Sequence, residues 1–95
     1  MIWMEFIKVQ SARTNVVALL KNFVVECKQC KGLLDAKVFV NSLVEDCSLC
    51  LLWKTDKAEL QGSGPGLHLS KTLKKYGLVD HSVWLEREET GEKMS

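Results

Sequence analysis

Residues 33–54 decide the fold, and they read LLDAKVFVNSLVEDCSLCLLWK. Residues 33–41 alternate between two faces, and residues 47–54 alternate in the same way, so both segments are predicted to be β-strands. The stretch 41–46 between them is short enough for a hairpin connection. The middle of the chain is therefore expected to form a β-hairpin.

Helical and extended segments flank this hairpin on both sides. Residues 2–10 are rich in strand-forming side chains, and apolar residues at steps of three and four predict a helix over 15–31. After the hairpin, a polar, glycine-rich link at 55–66 leads into a short predicted helix at 67–76 and a last alternating strand at 78–86. The predicted order is therefore β-α-β-β-α-β.

This order is that of the split βαβ, ferredoxin-like arrangement. Because each βαβ crossover is right-handed, both helices are expected on one face of a four-stranded antiparallel sheet. The predicted fold class is thus α+β. The chain of 95 residues is long enough for one domain, which we assign to residues 1–87, followed by a polar C-terminal tail at 88–95.

Composition and charge narrow the function classes. The 13 basic and 12 acidic residues balance to a net charge of +1, so there is no electrostatic reason to expect nucleic acid or a membrane surface as partner. No apolar run approaches the ~20 residues that span a bilayer, and no basic region precedes an apolar stretch at the N-terminus. Four cysteines are too few for a secreted disulfide scaffold, so we expect the reducing cytoplasm.

Each predicted strand carries bulky apolar residues on both faces, which is more than two helices on one side can cover. The helices cover one face only, so bulky residues on the other face remain exposed. Depending on which face that is, the exposed residues are some of Trp3, Phe39, Cys50, Leu52 and Trp84, or their neighbours on the opposite face. An exposed apolar patch on the order of several hundred Å² usually marks an interface. We therefore expect a twofold homodimer with sheet packed on sheet into one barrel, and a monomer with a ligand groove is the alternative.

Two cysteine pairs form a C-x2-C-x16-C-x2-C pattern, whose spacing alone is typical of a structural zinc site. Cys27 and Cys30, however, continue the apolar stripe of the first helix. Cys47 and Cys50 lie three apart in an alternating strand, so their side chains are expected to leave opposite faces. We therefore expect the cysteines to be core thiols without a metal. One alternative is a zinc-binding module in which all four cysteines are ligands, and the other is a redox role.

Three further side chains are candidates for a functional site. Glu5 interrupts an apolar strand, where it can serve as a buried carboxylate base or as a paired structural group. His81 is a lone histidine on an apolar strand face, where it is either a hydrogen-bonded core residue or a general base. Trp53 ends a strand beside the flexible link, so it either fills the core or forms the wall of a pocket.

Three segments carry a resemblance to known proteins: Cys-Lys-Gly-Leu-Leu at 30–34, Leu-Leu-Trp-Lys-Thr-Asp at 51–56 and Lys-Tyr-Gly-Leu-Val at 75–79. Together they resemble the antibiotic biosynthesis monooxygenase-like family of dimeric α/β-barrel proteins. The resemblance implies a homodimer with an apolar pocket that oxidises a small aromatic or quinol-type substrate with O2 and without a cofactor. Many members carry a histidine shortly after that tryptophan, whereas residues 57–64 have none, and no role is carried over to His68. A non-catalytic ligand-binding or structural dimer on the same fold is the alternative.

Overall fold

The computed structural model describes residues 1–11 and 13–87, and the predicted tail at 88–95 lies outside the described residues. The described part of the chain forms six elements in the predicted order: β1 (Ile2–Val9), α1 (Thr14–Cys27), β2 (Leu33–Asn41), β3 (Asp46–Lys54), α2 (Gly64–Leu73) and β4 (Val79–Leu85). Neither helix in this part of the chain is long and apolar enough to cross a membrane.

The strands form one antiparallel sheet in the order β2-β3-β1-β4. Strand β1 lies inside the sheet, where it pairs with β3 on one side and with β4 on the other. Each helix connects two strands that are not neighbours in the sheet, as the split βαβ topology requires. The predicted ferredoxin-like α+β fold is therefore confirmed.

Both helices pack on the same face of the sheet and bury it. The core between them consists of side chains from β1 and β3 on one side and from the apolar stripes of α1 and α2 on the other: Trp3, Ile7, Val9, Leu49, Leu51, Trp53, Val16, Leu20, Leu69 and Leu73. Alternation along the strands explains this selection, because every second residue of β1 and β3 points to the helices.

The opposite side of the sheet, which we call the open face, has no helix over it in the described part of the chain. Its apolar side chains come from all four strands: Ile2, Met4, Phe6, Phe39, Cys50, Leu52 and Trp84. Phe39 is 52% exposed and Trp84 is 60% exposed in the single chain. Of the five residues named from the sequence, only Trp3 lies on the helix side, since it faces Trp53 across β1 and β3.

Three local expectations were wrong. Helix α1 ends at Cys27 rather than near residue 31, and Cys30 lies in the turn that follows. Helix α2 begins at Gly64 rather than at residue 67, because Ser63 caps its N-terminus and a proline fits the first helical turn. A β-bulge at Leu34 shifts the register of β2, so that Leu34 is an extra residue and does not share the face of Ala36.

Candidate active site

Glu5 lies on the helix-covered face of β1, in the middle of an otherwise apolar strand, and none of its surface is exposed. Its neighbours in register are Leu51 on β3 and Val83 on β4. Residues two positions along on these strands are its diagonal neighbours, at a Cα separation of about 7–8 Å that long side chains can bridge. Those diagonal neighbours are Trp53 and His81, so the sheet register brings all three candidate residues together.

The Glu5 carboxylate accepts hydrogen bonds at both oxygens. Oε1 accepts from Trp53 Nε1 at 3.1 Å and from Ser63 Oγ at 2.7 Å. Oε2 accepts from the Ser63 backbone N–H at 3.0 Å and lies 2.5 Å from His81 Nε2. A buried carboxylate is tolerated only when its oxygens are satisfied in this way, so the network explains how an acidic residue fits in the core.

The start of helix α2 is built around this carboxylate. Ser63 caps the helix by accepting a hydrogen bond from the Gly66 N–H at 3.0 Å while its own hydroxyl donates to Glu5. Glu5 therefore lies at the positive end of the α2 dipole, which favours a negative group. A side chain on Gly66 would collide with the carboxylate. Gly62 has φ +114°, and a Cβ there would lie 2.6 Å from His81 Nε2.

His81 comes from β4 and is the accessible member of the network, with 14% of its side chain exposed. Its Nε2 faces Glu5, and its Nδ1 lies 3.1 Å from Ser70 Oγ. Beside an ionised Glu5, which accepts but cannot donate, a neutral imidazole donates from Nε2, and this tautomer leaves Nδ1 to accept from the Ser70 hydroxyl. Glu5 thus orients the imidazole, and His81 is the group that can exchange a proton with a ligand.

A cleft of about 550 Å³ opens between α2 and the free edge of β4, and His81 and Ser70 line it together with Leu67, Val79 and the exposed His68. Lys71 and Lys74 stand at the same cleft and give it a positive border. Apolar walls with a few converging polar groups are typical of small-molecule sites. This cleft, the His81 imidazole and the buried Glu5 carboxylate form the candidate active site.

Hydrogen bonds link Ser70 to His81 and His81 to Glu5. The same order of serine, histidine and acid forms the catalytic triad of many hydrolases. Ser70 is buried, however, and it lies inside α2, where the backbone N–H groups bond within the helix. Those N–H groups are not available to an oxyanion, which acyl transfer needs beside its nucleophile. The arrangement is therefore better suited to proton transfer by His81 than to nucleophilic attack by Ser70.

Trp53 is a core residue that also borders a cleft. Its ring stacks on Trp3 with centroids 5.6 Å apart and an interplanar angle of 17°. Trp3 Nε1 in turn donates to Thr55 Oγ1 at 2.8 Å. The two indoles line a second cleft of about 330 Å³, which also includes Cys30 and Pro65 and which we call the tryptophan cleft.

The four cysteines are free thiols and do not converge on one point. Cys27 Sγ lies 3.8 Å from Cys30 Sγ. Cys47 is buried on the helix side of β3, where its thiol donates to the Ser11 carbonyl at 2.9 Å, whereas Cys50 is on the open face. No group of three or more His, Cys, Asp or Glu side chains in residues 1–11 and 13–87 could hold a metal ion.

Sequence reasoning singled out Glu5, His81 and Trp53 one by one but did not connect them. It missed Ser63 and Ser70, which complete the hydrogen bonds of the carboxylate and the imidazole. The signal for Ser63 was present, since a serine two residues before a proline is a typical helix start. Ser70 gave no such signal, because a serine within a helix has no distinguishing pattern.

Comparison with known proteins supports the fold and leaves the activity open. Neither a protein family profile nor a curated protein sequence matches the chain. A solved structure, that of Rv0793 from Mycobacterium tuberculosis, is similar with a TM-score of 0.70 at 14% sequence identity. The similarity covers 95% of this chain and 99% of that one. At such low identity it shows the shared fold alone.

Proposed function

We propose that this protein is a cofactor-independent monooxygenase-like enzyme that oxidises a small aromatic or quinol-type compound with O2. The observation that carries the proposal is the 2.5 Å contact between Glu5 Oε2 and His81 Nε2, which leaves Nδ1 of the imidazole beside Ser70 at the cleft that both residues line. The resemblance of residues 30–34, 51–56 and 75–79 to the antibiotic biosynthesis monooxygenase-like family supports the same reaction class.

His81, rather than Glu5, is the proposed base. Glu5 has no exposed surface, so it cannot touch a substrate, whereas His81 reaches the cleft. The substrate hydroxyl would replace Ser70 as the donor to Nδ1 and then transfer its proton there. Glu5 is a positioning residue that stabilises the imidazolium formed in this step. His81 from β4 would thus supply the imidazole that residues 57–64 lack.

The reaction balances without an external reductant. Loss of the hydroxyl proton leaves an electron-rich ring carbon para to the oxygen, which reduces O2 and binds it as a hydroperoxide. Loss of water from the hydroperoxide then gives the quinone. One oxygen atom enters the product and the other leaves as water, so that phenol plus O2 yields quinone plus water. The substrate supplies all the electrons, which is why the proposal includes no metal or flavin.

The size of the cleft agrees with a small planar substrate. Pockets for such ligands have volumes of about 300–1,000 Å³ and mostly apolar walls. The cleft at about 550 Å³ falls in this range, with Leu67 and Val79 as its apolar walls. Lys71 and Lys74 at its border would stabilise a phenolate, which carries the negative charge after proton transfer.

We also propose that two copies of the chain associate through the open face. Four strands about 4.8 Å apart and eight residues long give this face roughly 500 Å² in projection, before side-chain relief is counted. That is the scale of a small stable interface, about 600 Å² per partner. Phe39 and Trp84 lie exposed on it in the single chain. A second copy with the same face would cover them, and the twofold pairing of two sheets closes the barrel that the resemblance implies.

Sedimentation of the full chain tests the dimer. We expect the wild-type protein at twice the chain mass and the Phe39→Asp variant at the chain mass, because the variant buries an unpaired charge in the interface. Leu60→Asp is the matched control, since Leu60 is exposed in the loop between β3 and α2 and should leave the dimer intact. A wild-type monomer at high concentration would contradict the dimer. We place the dimer in the cytoplasm, where the four thiols stay free.

Oxygen uptake with a panel of phenols and hydroquinones tests the reaction. We expect uptake by the wild type and a loss of about 100-fold or more in kcat/KM for His81→Gln, the usual contribution of a general base. Glu45→Gln, an acid-to-amide change in the exposed turn before β3, should retain the wild-type rate. With 18O2, one labelled atom should appear in the product and one in water.

The alternative is a non-catalytic ligand-binding or structural dimer, in which the network only fastens α2 to the sheet. Four hydrogen bonds to one buried carboxylate would serve that purpose as well. It predicts no oxygen uptake above buffer across the whole panel, and a His81→Gln protein that differs from the wild type in stability alone. Equal uptake by wild type and His81→Gln would likewise contradict the assignment of His81 as the base.

A further inference from the structure

The Cys27–Cys30 pair is a feature that neither the core nor the proposed reaction explains. Cys27 is the last residue of α1, and the Cys30 N–H donates to the Cys27 carbonyl at 2.8 Å, which closes the turn after the helix. This turn brings the two sulfur atoms to 3.8 Å. A disulfide needs about 2.05 Å, so a small side-chain rotation would join them without moving the helix.

The two thiols differ in access. Cys27, the last residue of α1, is 2% exposed, whereas Cys30 is half-buried and lines the tryptophan cleft. A small molecule that enters this cleft would meet Cys30, which lines it together with Trp3 and Trp53, whereas Cys27 is not one of its lining residues. Burial, together with the neighbouring Cys30, raises the pKa of Cys27 to about 12, so the buried thiol keeps its proton at neutral pH.

We propose that Cys27 and Cys30 form a peroxide-reactive dithiol, in which Cys30 is oxidised first and Cys27 resolves it to a disulfide. The Cys30 thiolate attacks one oxygen of a hydroperoxide, which breaks the O–O bond and gives a sulfenic acid and, for hydrogen peroxide, hydroxide. The Cys27 sulfur then bonds to the Cys30 sulfur and expels the sulfenic oxygen, which leaves as water with the Cys27 proton. In sum, two thiols and one hydrogen peroxide give one disulfide and two water molecules.

The other two cysteines, Cys47 and Cys50, have different surroundings, so their oxidation rates can be compared with that of the Cys27–Cys30 pair in the same protein. Cys47 is buried, and its thiol donates to the Ser11 carbonyl. Cys50 is half-buried on the open face, on the other side of the sheet. Burial raises the pKa of both thiols. Within the described residues the one contact between two thiols is that of Cys27 with Cys30, so oxidation at Cys50 would stop at the sulfenic acid or link two chains.

The test uses the reduced full chain, treated with hydrogen peroxide under native conditions, alkylated and mapped by mass spectrometry. We expect an intramolecular Cys27–Cys30 disulfide that is two hydrogens lighter, forms about tenfold faster than any change at Cys50 and disappears with dithiothreitol. Cys50→Ser should form it at the wild-type rate. Cys27→Ser should instead accumulate a sulfenic acid at Cys30 that dimedone traps.

Three results would overturn the proposal. One is a native chain in which all four thiols oxidise at similar rates. Another is a product dominated by disulfides between chains through Cys50. The third is a Cys27→Ser protein in which Cys30 gives no sulfenic acid. The wild-type measurement alone decides the first two, so the outcome does not depend on whether a variant folds, and none of the three involves oxygen uptake or His81.

Discussion

Replacing Glu5 by glutamine tests the hydrogen-bond network where it is most constrained. Glutamine has nearly the same shape but presents one oxygen and one NH2 group in place of two acceptor oxygens. In one orientation the NH2 group faces the Trp53 indole N–H, and in the other it faces the Ser63 backbone N–H. In either orientation one buried N–H group, that of Trp53 or of Ser63, loses its acceptor. The two hydrogen bonds to the remaining oxygen are then made to a neutral group instead of a charged one.

The expected cost follows from these counts. A buried donor without a partner costs about 1–3 kcal/mol, and bonds to a neutral acceptor are roughly half as strong as bonds to a charged one. Glu5→Gln should therefore lower the free energy of unfolding by about 2–4 kcal/mol, which a domain with about 5–15 kcal/mol survives. The variant should fold, with a lower midpoint of unfolding.

Urea unfolding followed by tryptophan fluorescence measures this difference, since Trp53 lies in the network itself. The slope with denaturant should stay unchanged, because the folded and unfolded surfaces are the same. Glu45→Gln in the exposed turn is the control and should stay within about 0.5 kcal/mol of the wild type. A loss below about 0.5 kcal/mol for Glu5→Gln would refute the view that the carboxylate organises this part of the core.

Three further variants test separate parts of the structure. Gly66→Ala should unfold at markedly lower urea concentration because its methyl group collides with the Glu5 carboxylate, whereas Gly64→Ala meets nothing within 4 Å and should stay close to the wild type. Ser70→Ala removes the hydrogen bond to the partly buried imidazole and should cost about 1 kcal/mol in the same assay. The pKa of Cys27 is raised from an ordinary value of 9.0 to about 12, so its contribution to stability is complete below about pH 9 and is lost as pH rises toward 12. Stability of the wild type should therefore fall more steeply than that of Cys27→Ala over this range, and parallel curves would speak against the shift.

The fold was predictable because strand alternation and helix period are local signals. The hairpin at residues 33–54 and the order of elements follow from them. The ends of the helices were harder to predict than the elements themselves. Cys30 keeps the helical spacing of α1 although the helix has ended at Cys27, and the glycines around Pro65 read as a linker although they begin α2. In both places the decision rests on capping and close contacts, which periodicity does not report.

The site was predictable in its residues but not in its geometry. Glu5, His81 and Trp53 each stand out as polar or bulky groups on apolar strands. Their meeting depends on the register between β1 and its two neighbours, where a slip of one residue would turn a side chain to the other face. The serine partners come from the start and the interior of α2, and their positions depend on how that helix is set against the sheet.

Nitrogen-15 NMR of the histidine rings tests most directly whether Glu5 holds His81 as a base that faces the cleft. We expect neutral His81 to carry its proton on Nε2 and to leave Nδ1 unprotonated, with a slowly exchanging Nε2 proton in the short bond to Glu5. In Glu5→Gln this preference and the slow exchange should be lost, while the exposed His68 should be unchanged. A wild-type His81 that carries its proton on Nδ1, or that exchanges as fast as His68, would contradict the account.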